Sequence, residues 1–140
     1  MASHEINELS LVFVNPWSIC NKTTTIHDFI VDHHPDVLCI AETWLTGTES
    51  DNALISAVLP PGYAMMHAPR GSRGGGVAII YRACISLRKN TLMSVFQTFE
   101  LLDCLAMVSR PLRICTVYRS PRNHGHTMSE FFDEFSVLLE

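Results

Sequence analysis

Two stretches leave the chain little choice of fold: Asp36-Val-Leu-Cys-Ile-Ala-Glu42 and Val77-Ala-Ile-Ile-Tyr81 each carry five consecutive apolar residues. An apolar run without polar alternation is the pattern of a strand covered on both faces, as in the sheet of an α/β protein. Cys104–Val108 is a third run of five. A membrane-spanning helix needs roughly 18 such residues, so no transmembrane segment is expected. Hydrophobic residues make up 47% of the 140 and charged residues 17%, against roughly 25% charged in an average soluble domain. That balance excludes wholesale disorder, and the length suits one domain or part of one, with no second domain.

The remaining chain supplies partners for those strands. Strands are expected at Leu9–Asn15, Asp36–Glu42, Tyr63–Ala68, Val77–Arg82, Phe99–Ser109 and Arg113–Arg119, the last two forming a hairpin joined by Arg110-Pro111-Leu112. Ile26, Phe29 and Ile30 recur at helical spacing after Thr25, with Asp28 completing a capping box and Pro35 ending the run. A short helix is expected from Asp51, as cap, to Leu59 before Pro60-Pro61-Gly62. The last helix has Thr127 and Glu130 as a capping box and one apolar stripe of Met128, Phe131, Phe132, Phe135, Leu138 and Leu139, read as core. The order β-α-β, then antiparallel strands, then a helix, predicts an α/β (α+β) fold with a mixed sheet. No repeat, low-complexity tract or linker interrupts it.

Glu5 and Glu8 stand where a signal peptide would carry basic residues, and Leu11–Val14 is short for its apolar region. An intracellular protein, nuclear or cytoplasmic, neither secreted nor membrane-bound, is expected. Five cysteines (20, 39, 84, 104 and 115) form an odd set with no C-x-x-C pair, which reads as reduced, mostly buried thiols and not a zinc or disulfide frame. His33-His34 and His124-Gly-His126 lack ligand partners at recurring spacing and read as helix-end and loop histidines. The net charge of −4 is uneven: residues 70–122 hold nine of the ten basic side chains against Glu100 and Asp103 alone. This permits a basic surface for a phosphate-bearing partner, and equally fits arginines scattered at strand ends. Arg70-Gly-Ser-Arg-Gly-Gly-Gly76 lacks the Lys-Ser/Thr ending of a P-loop and precedes a strand, so it reads as a flexible turn whose Arg70 and Arg73 would touch a nucleic-acid backbone.

Three polar residues close apolar strands, where α/β folds expose functional side chains: Asn15, Glu42 and Tyr118. Singly, each also reads as structural: Asn15 as a turn residue before Pro16, Glu42 as a cap, and Tyr118 as a strand-end aromatic. Together, Val14-Asn15-Pro-Trp-Ser-Ile-Cys-Asn-Lys22, Pro35-Asp-Val-Leu-Cys-Ile-Ala-Glu-Thr-Trp-Leu45, Gly74-Gly-Gly-Val-Ala-Ile-Ile-Tyr-Arg82 and Val117-Tyr-Arg-Ser-Pro121 resemble, in order and spacing, the exonuclease/endonuclease/phosphatase superfamily. More narrowly they resemble the N-terminal part of the endonuclease domain of non-LTR (LINE-type) retrotransposon proteins.

The resemblance implies a four-layer α/β/β/α sandwich of two packed sheets, of which residues 1–140 are the N-terminal portion. It implies that Glu42 binds a catalytic Mg²⁺, with Mn²⁺ as a substitute, that Asn15 helps hold the metal and phosphate, and that Tyr118 bonds a phosphate oxygen in the transition state. Arg70, Arg73 and Arg119 would contact the DNA backbone. The implied reaction is metal-assisted attack of water on a phosphodiester of DNA, in an element that also encodes a reverse transcriptase downstream. Pro16-Trp17 follows Asn15 where relatives carry small or basic residues. The family's Gly-Asp-x-Asn and Ser-Asp-His segments do not occur within these 140 residues, which implies weak or absent activity for this stretch alone and an inner sheet face left uncovered. A non-catalytic nucleic-acid or protein-binding module, and a phosphatase acting on small phosphate esters, are the alternative readings.

Overall fold

The two unbroken apolar runs pair with each other at the centre of a sheet. The computed structural model describes residues 8–91, 95–121 and 125–140, so Glu5, Arg122 and His124 of the sequence reading lie outside the described residues. Strand β2 (Val37–Ala41) runs parallel to β1 (Leu11–Val14) on one side and antiparallel to β4 (Val77–Arg82) on the other; β3 (Tyr63–Ala68) pairs antiparallel with the far edge of β4. All of β2 and the first four residues of β4 are buried, as strands covered on both faces require.

A second, antiparallel sheet of β5 (Ser86–Lys89), β6 (Glu100–Met107) and β7 (Pro111–Tyr118) packs on the first. Val37, Cys39, Val77 and Ile79 meet Leu102, Cys104, Ala106 and Ile114 between the sheets. The alternate residues Leu38, Ile40, Ala78 and Ile80 face outward onto Ile26 and Ile30 of α1 (Thr23–His33) and Val58 of α2 (Asp51–Val58). Helix α3 (Met128–Leu139) joins the second sheet through Arg113, which donates to Asp103 of β6 and to the Leu138 carbonyl, and through Phe131 and Phe135, edge-on to Phe99. The layers are therefore α/β/β/α.

Local details differ from the sequence reading where tertiary contacts override local preference. Helix α1 starts earlier, with Lys22 at its cap and no side-chain capping bond; the turn donated by the Lys22 amide to the Ile19 carbonyl opens it before Thr25 is reached. Ser50 occupies the N-cap position of α2 without a side-chain capping bond, and Asp51 is buried in the first turn with its carboxylate accepting from the amides of Thr46 and Gly47. Pro111 already belongs to β7, opposite Met107, which moves the hairpin turn back to residues 108–110. Strand β5 escapes pattern reading because only Leu87 of its four residues is buried. Of the five free cysteines only Cys39 and Cys104 are buried, since Cys115 faces outward on β7 and Cys84 lies in a turn. The capping box of α3 forms as read, yet Met128, Phe132 and Leu139 of its stripe stay exposed.

Among the described residues the inner face is open at one edge. Leu11 and Phe13 pair in register with Val37 and Cys39 and so face the second sheet, but they remain 50% and 56% exposed. An apolar edge strand of this kind is an association hazard. The purified 140-residue chain is expected to self-associate and bind an apolar dye, with Phe13→Lys lowering both. Sharp, cooperative unfolding of a monomer that takes up no dye would count against this.

Candidate active site

Beyond Ala41 the chain leaves β2 in an unusual way. Glu42 and Trp44 both adopt left-handed backbone, at φ 55 and φ 60, a conformation that costs a non-glycine residue on the order of 1–3 kcal/mol. Neighbours on both sides hold the segment in place. The Ser18 and Ile19 amides donate to the Glu42 and Thr43 carbonyls at 2.8 and 3.1 Å, while the Thr43 and Trp44 amides donate to the Gly76 and Gly75 carbonyls at 3.1 and 2.8 Å. Thr43 is fully buried between the two loops, and its hydroxyl accepts from the Leu45 amide.

This strap turns the Glu42 carboxylate toward the second sheet. The Tyr118 hydroxyl, at the end of β7, donates to Glu42 Oε1 at 2.6 Å, joining two residues 76 positions apart in sequence. Burial, with the hydrogen bond to Glu42 adding to it, pushes the Tyr118 hydroxyl from 10.0 up to about 12. Both side chains line one cavity of about 640 Å³, together with Trp17, Trp44, Arg70 and Arg73. The Trp44 indole N–H is buried with no acceptor among the described residues.

The glycine segment is not the flexible turn that its composition suggests. Arg70 donates to Glu100 Oε2 from Nη2 at 2.9 Å and from Nε at 3.2 Å, and the Gly76 amide donates to Glu100 Oε1 at 2.7 Å. A Cβ on Gly75 would stand 2.3 Å from Arg70 Nε, and one on Gly76 would stand 2.5 Å from Thr43 Oγ1. Only glycine allows the loop to close this tightly with positive φ.

Of the residues read from sequence, Glu42 and Tyr118 come together, while Asn15 directly follows β1, the parallel neighbour of β2. The Asn15 carboxamide oxygen accepts from the Trp17 amide at 3.1 Å, so the turn role is real whatever else the side chain does. Arg73 stays in the cavity wall, its guanidinium 5.8 Å from the Trp44 ring centre. Arg70 is tied to Glu100, and Arg119 lies over Phe131 of α3 with its Nε buried and without a hydrogen-bond partner among the described residues. The basic stretch is thus partly spent inside the fold: Arg82 and Arg113 are also paired, with Asp36 and Asp103. Glu100, which fixes the glycine loop, went unread; the signal was its standing as one of two acids among nine basic residues.

Among the described residues no group of three or more His, Cys, Asp or Glu is arranged to hold a metal ion. The hard oxygens of Glu42 and Asn15 nevertheless suit Mg²⁺, which takes one or two carboxylates and completes its shell with water and phosphate.

A four-layer sandwich with a Glu–Tyr pair in a polar cavity at its strand ends defines a recognisable class. The chain belongs to the endonuclease/exonuclease/phosphatase family, whose pattern matches residues 15–138. Its fold is similar to that of an AP endonuclease from Leishmania major, at TM-score 0.59 and 18% identity over 79% of this chain and 40% of the other. It is also similar to a 3′ phosphatase from Neisseria bound to a product DNA hairpin, at TM-score 0.53 and 17% identity over 77% and 40%. The chain therefore spans about 40% of the length of these solved structures. No curated protein matches it in sequence.

Two measurements probe the site. In ultraviolet titration Tyr118 should ionise near pH 12, and Glu42→Gln should bring the midpoint part of the way back toward 10.0, because burial remains. Its contribution to stability is complete below pH 10 and is lost as pH rises through 12; an unmoved midpoint in Glu42→Gln would contradict the coupling. Gly76→Ala should cost about 1–3 kcal/mol in chemical denaturation, and a neutral result would mean that the strap yields.

Proposed function

We propose that this chain carries the N-terminal portion of a single Mg²⁺-dependent DNA endonuclease domain that hydrolyses phosphodiester bonds, of the kind that nicks target DNA for a non-LTR retrotransposon. The observation that carries the reading is the 2.6 Å bond from Tyr118 to Glu42 at a polar cavity, in a chain of this family. The narrower retrotransposon assignment rests on the wording of Ala41-Glu-Thr-Trp-Leu45 and Tyr118-Arg-Ser-Pro121. In that setting a reverse transcriptase encoded downstream is a partner of the same polyprotein.

Glu42 and Asn15 would hold Mg²⁺, which when bound would supply polarisation of the phosphoryl group and stabilisation of the leaving oxygen. The strap aims the carboxylate so that Oε1 accepts the Tyr118 hydrogen bond, and the second oxygen would be the one to serve an ion. Tyr118 keeps its proton far above neutral pH, and by shifting its one hydrogen bond from Glu42 to a substrate phosphate oxygen it would donate there as negative charge builds in the transition state. Arg73 offers a cation to the DNA backbone. General acid–base help, commonly worth about 10²–10⁴-fold, has no provider among the described residues that line this cavity, so turnover by these 140 residues alone is expected to be slow or absent.

Mn²⁺ binding followed by electron paramagnetic resonance, together with nicking of supercoiled plasmid, tests the reading. Mn²⁺ should bind the wild-type chain and be lost in Glu42→Ala. Any nicking should need Mg²⁺ and fall by on the order of 10²-fold in Tyr118→Phe, as for loss of a transition-state donor. Metal binding that survives Glu42→Ala, or nicking indifferent to chelator, would refute it. Nucleic-acid binding with a steep salt slope but no metal uptake would instead support the non-catalytic alternative.

A further inference from the structure

Trp17 has no part in the mechanism above, yet it lines the same cavity as Glu42, Tyr118 and Arg73. Its side chain is 74% exposed. A lone exposed apolar residue usually means nothing, but here the backbone is committed to the exposure. Trp17 sits at φ 58 and Ser18 at φ 86, in the left-handed region that bulky side chains avoid. The Trp17 amide donates to Asn15 Oδ1 at 3.1 Å, and its carbonyl accepts from Lys22 Nζ at 3.3 Å. The next two amides are bonded to the Glu42 and Thr43 carbonyls. Each of these bonds opposes the relaxation that would let the indole turn inward, so the residue with the largest π face is held in water at the mouth of the cavity.

A flat aromatic face beside phosphate-directed side chains is the combination that single-stranded nucleic-acid sites use: the backbone follows the charges and a base stacks on the ring. We propose that the Trp17 indole is a stacking platform for a nucleobase next to the phosphate that occupies the cavity, making Trp17 a specificity-determining residue. The inference rests on the reading of the cavity as a nucleic-acid phosphate site, and adds that an unstacked base, not the backbone alone, is recognised. Stacking accepts any base, so Trp17 selects for strands locally open and bearing a base, and against abasic ones.

The test is fluorescence anisotropy of a labelled single-stranded DNA oligonucleotide and of its counterpart with abasic linkers at every position, titrated with the 140-residue chain in Mg²⁺. Trp17→Ala and Trp17→Leu should weaken binding of the base-bearing strand about 5- to 100-fold, while Trp17→Phe keeps most of it. The abasic strand should bind all four proteins alike, with the same salt slope. Equal losses on both strands, no loss on either, or full retention by Trp17→Leu would overturn the proposal, as would failure of the wild-type chain to prefer the base-bearing strand. Unchanged circular dichroism and melting confirm that the variants fold, as expected for an exposed side chain. Base-dependent binding with no Glu42-dependent uptake of Mn²⁺ would leave the platform standing and sink the hydrolase reading. Glu42-dependent cleavage with no base preference would do the reverse.

Discussion

Everything at the cavity depends on how the three residues after β2 are gripped. Glu42, Thr43 and Trp44 form a short strap whose carbonyls are held by the 18–19 loop and whose amides are held by the 75–76 loop. Without those four bonds, two left-handed residues in three would relax toward extended backbone, and the carboxylate would swing off Tyr118. Strain of this size persists only where the surroundings over-determine it. Here they do so twice over, because each flanking loop is itself fixed: one by the Asn15 carboxamide and Lys22, the other by Glu100 and Arg70.

The elements set by local rules were legible. Continuous apolar runs put β2 and β4 at the sheet centre, and Thr127 with Glu130 marked the start of α3, because burial on both faces and capping are written in neighbouring residues. Glu42 and Tyr118 could be nominated as strand-end polar residues, but the bond between them joins the two sheets across 76 positions, and no spacing rule carries that distance. The glycine loop misled for a related reason. Gly-rich composition signals freedom, whereas Gly75 and Gly76 serve close approach to Arg70 and Thr43, which is a property of the partners and not of the segment.

Charge tells the same story at longer range. The basic stretch looked like a surface for phosphate, yet its arginines divide between fold and cavity. Arg70, Arg82 and Arg113 are bound by acids, two of them by the only acids in the stretch, so the local surplus overstates the free positive surface. Arg113 links β6, β7 and the end of α3, and its partner Asp103 is nearly inaccessible, with its carboxyl held low chiefly by the Arg113 hydrogen bonds. That pair anchors the fourth layer where apolar contact is thin, since much of the α3 stripe is turned to solvent.

The Arg70–Glu100 pair does something different, because it sits one step behind the carboxylate. Glu100 accepts from the amide of Gly76 and from Arg70 with its two oxygens, and the Gly76 carbonyl in turn takes the Thr43 amide. A charge pair between the loop after β3 and the start of β6 thereby fixes the backbone beyond β2, and with it the direction of Glu42. Glu100 opens β6 directly opposite Tyr118 in register, so the same two strands that deliver the tyrosine hydroxyl also deliver the brace for its partner. The separation between donor and acceptor is then set by the packing of one sheet on the other. The geometry of the Glu42–Tyr118 pair is a consequence of the sandwich core: Val37, Cys39, Ile79, Leu102 and Cys104 belong to the cluster against which Tyr118 itself packs.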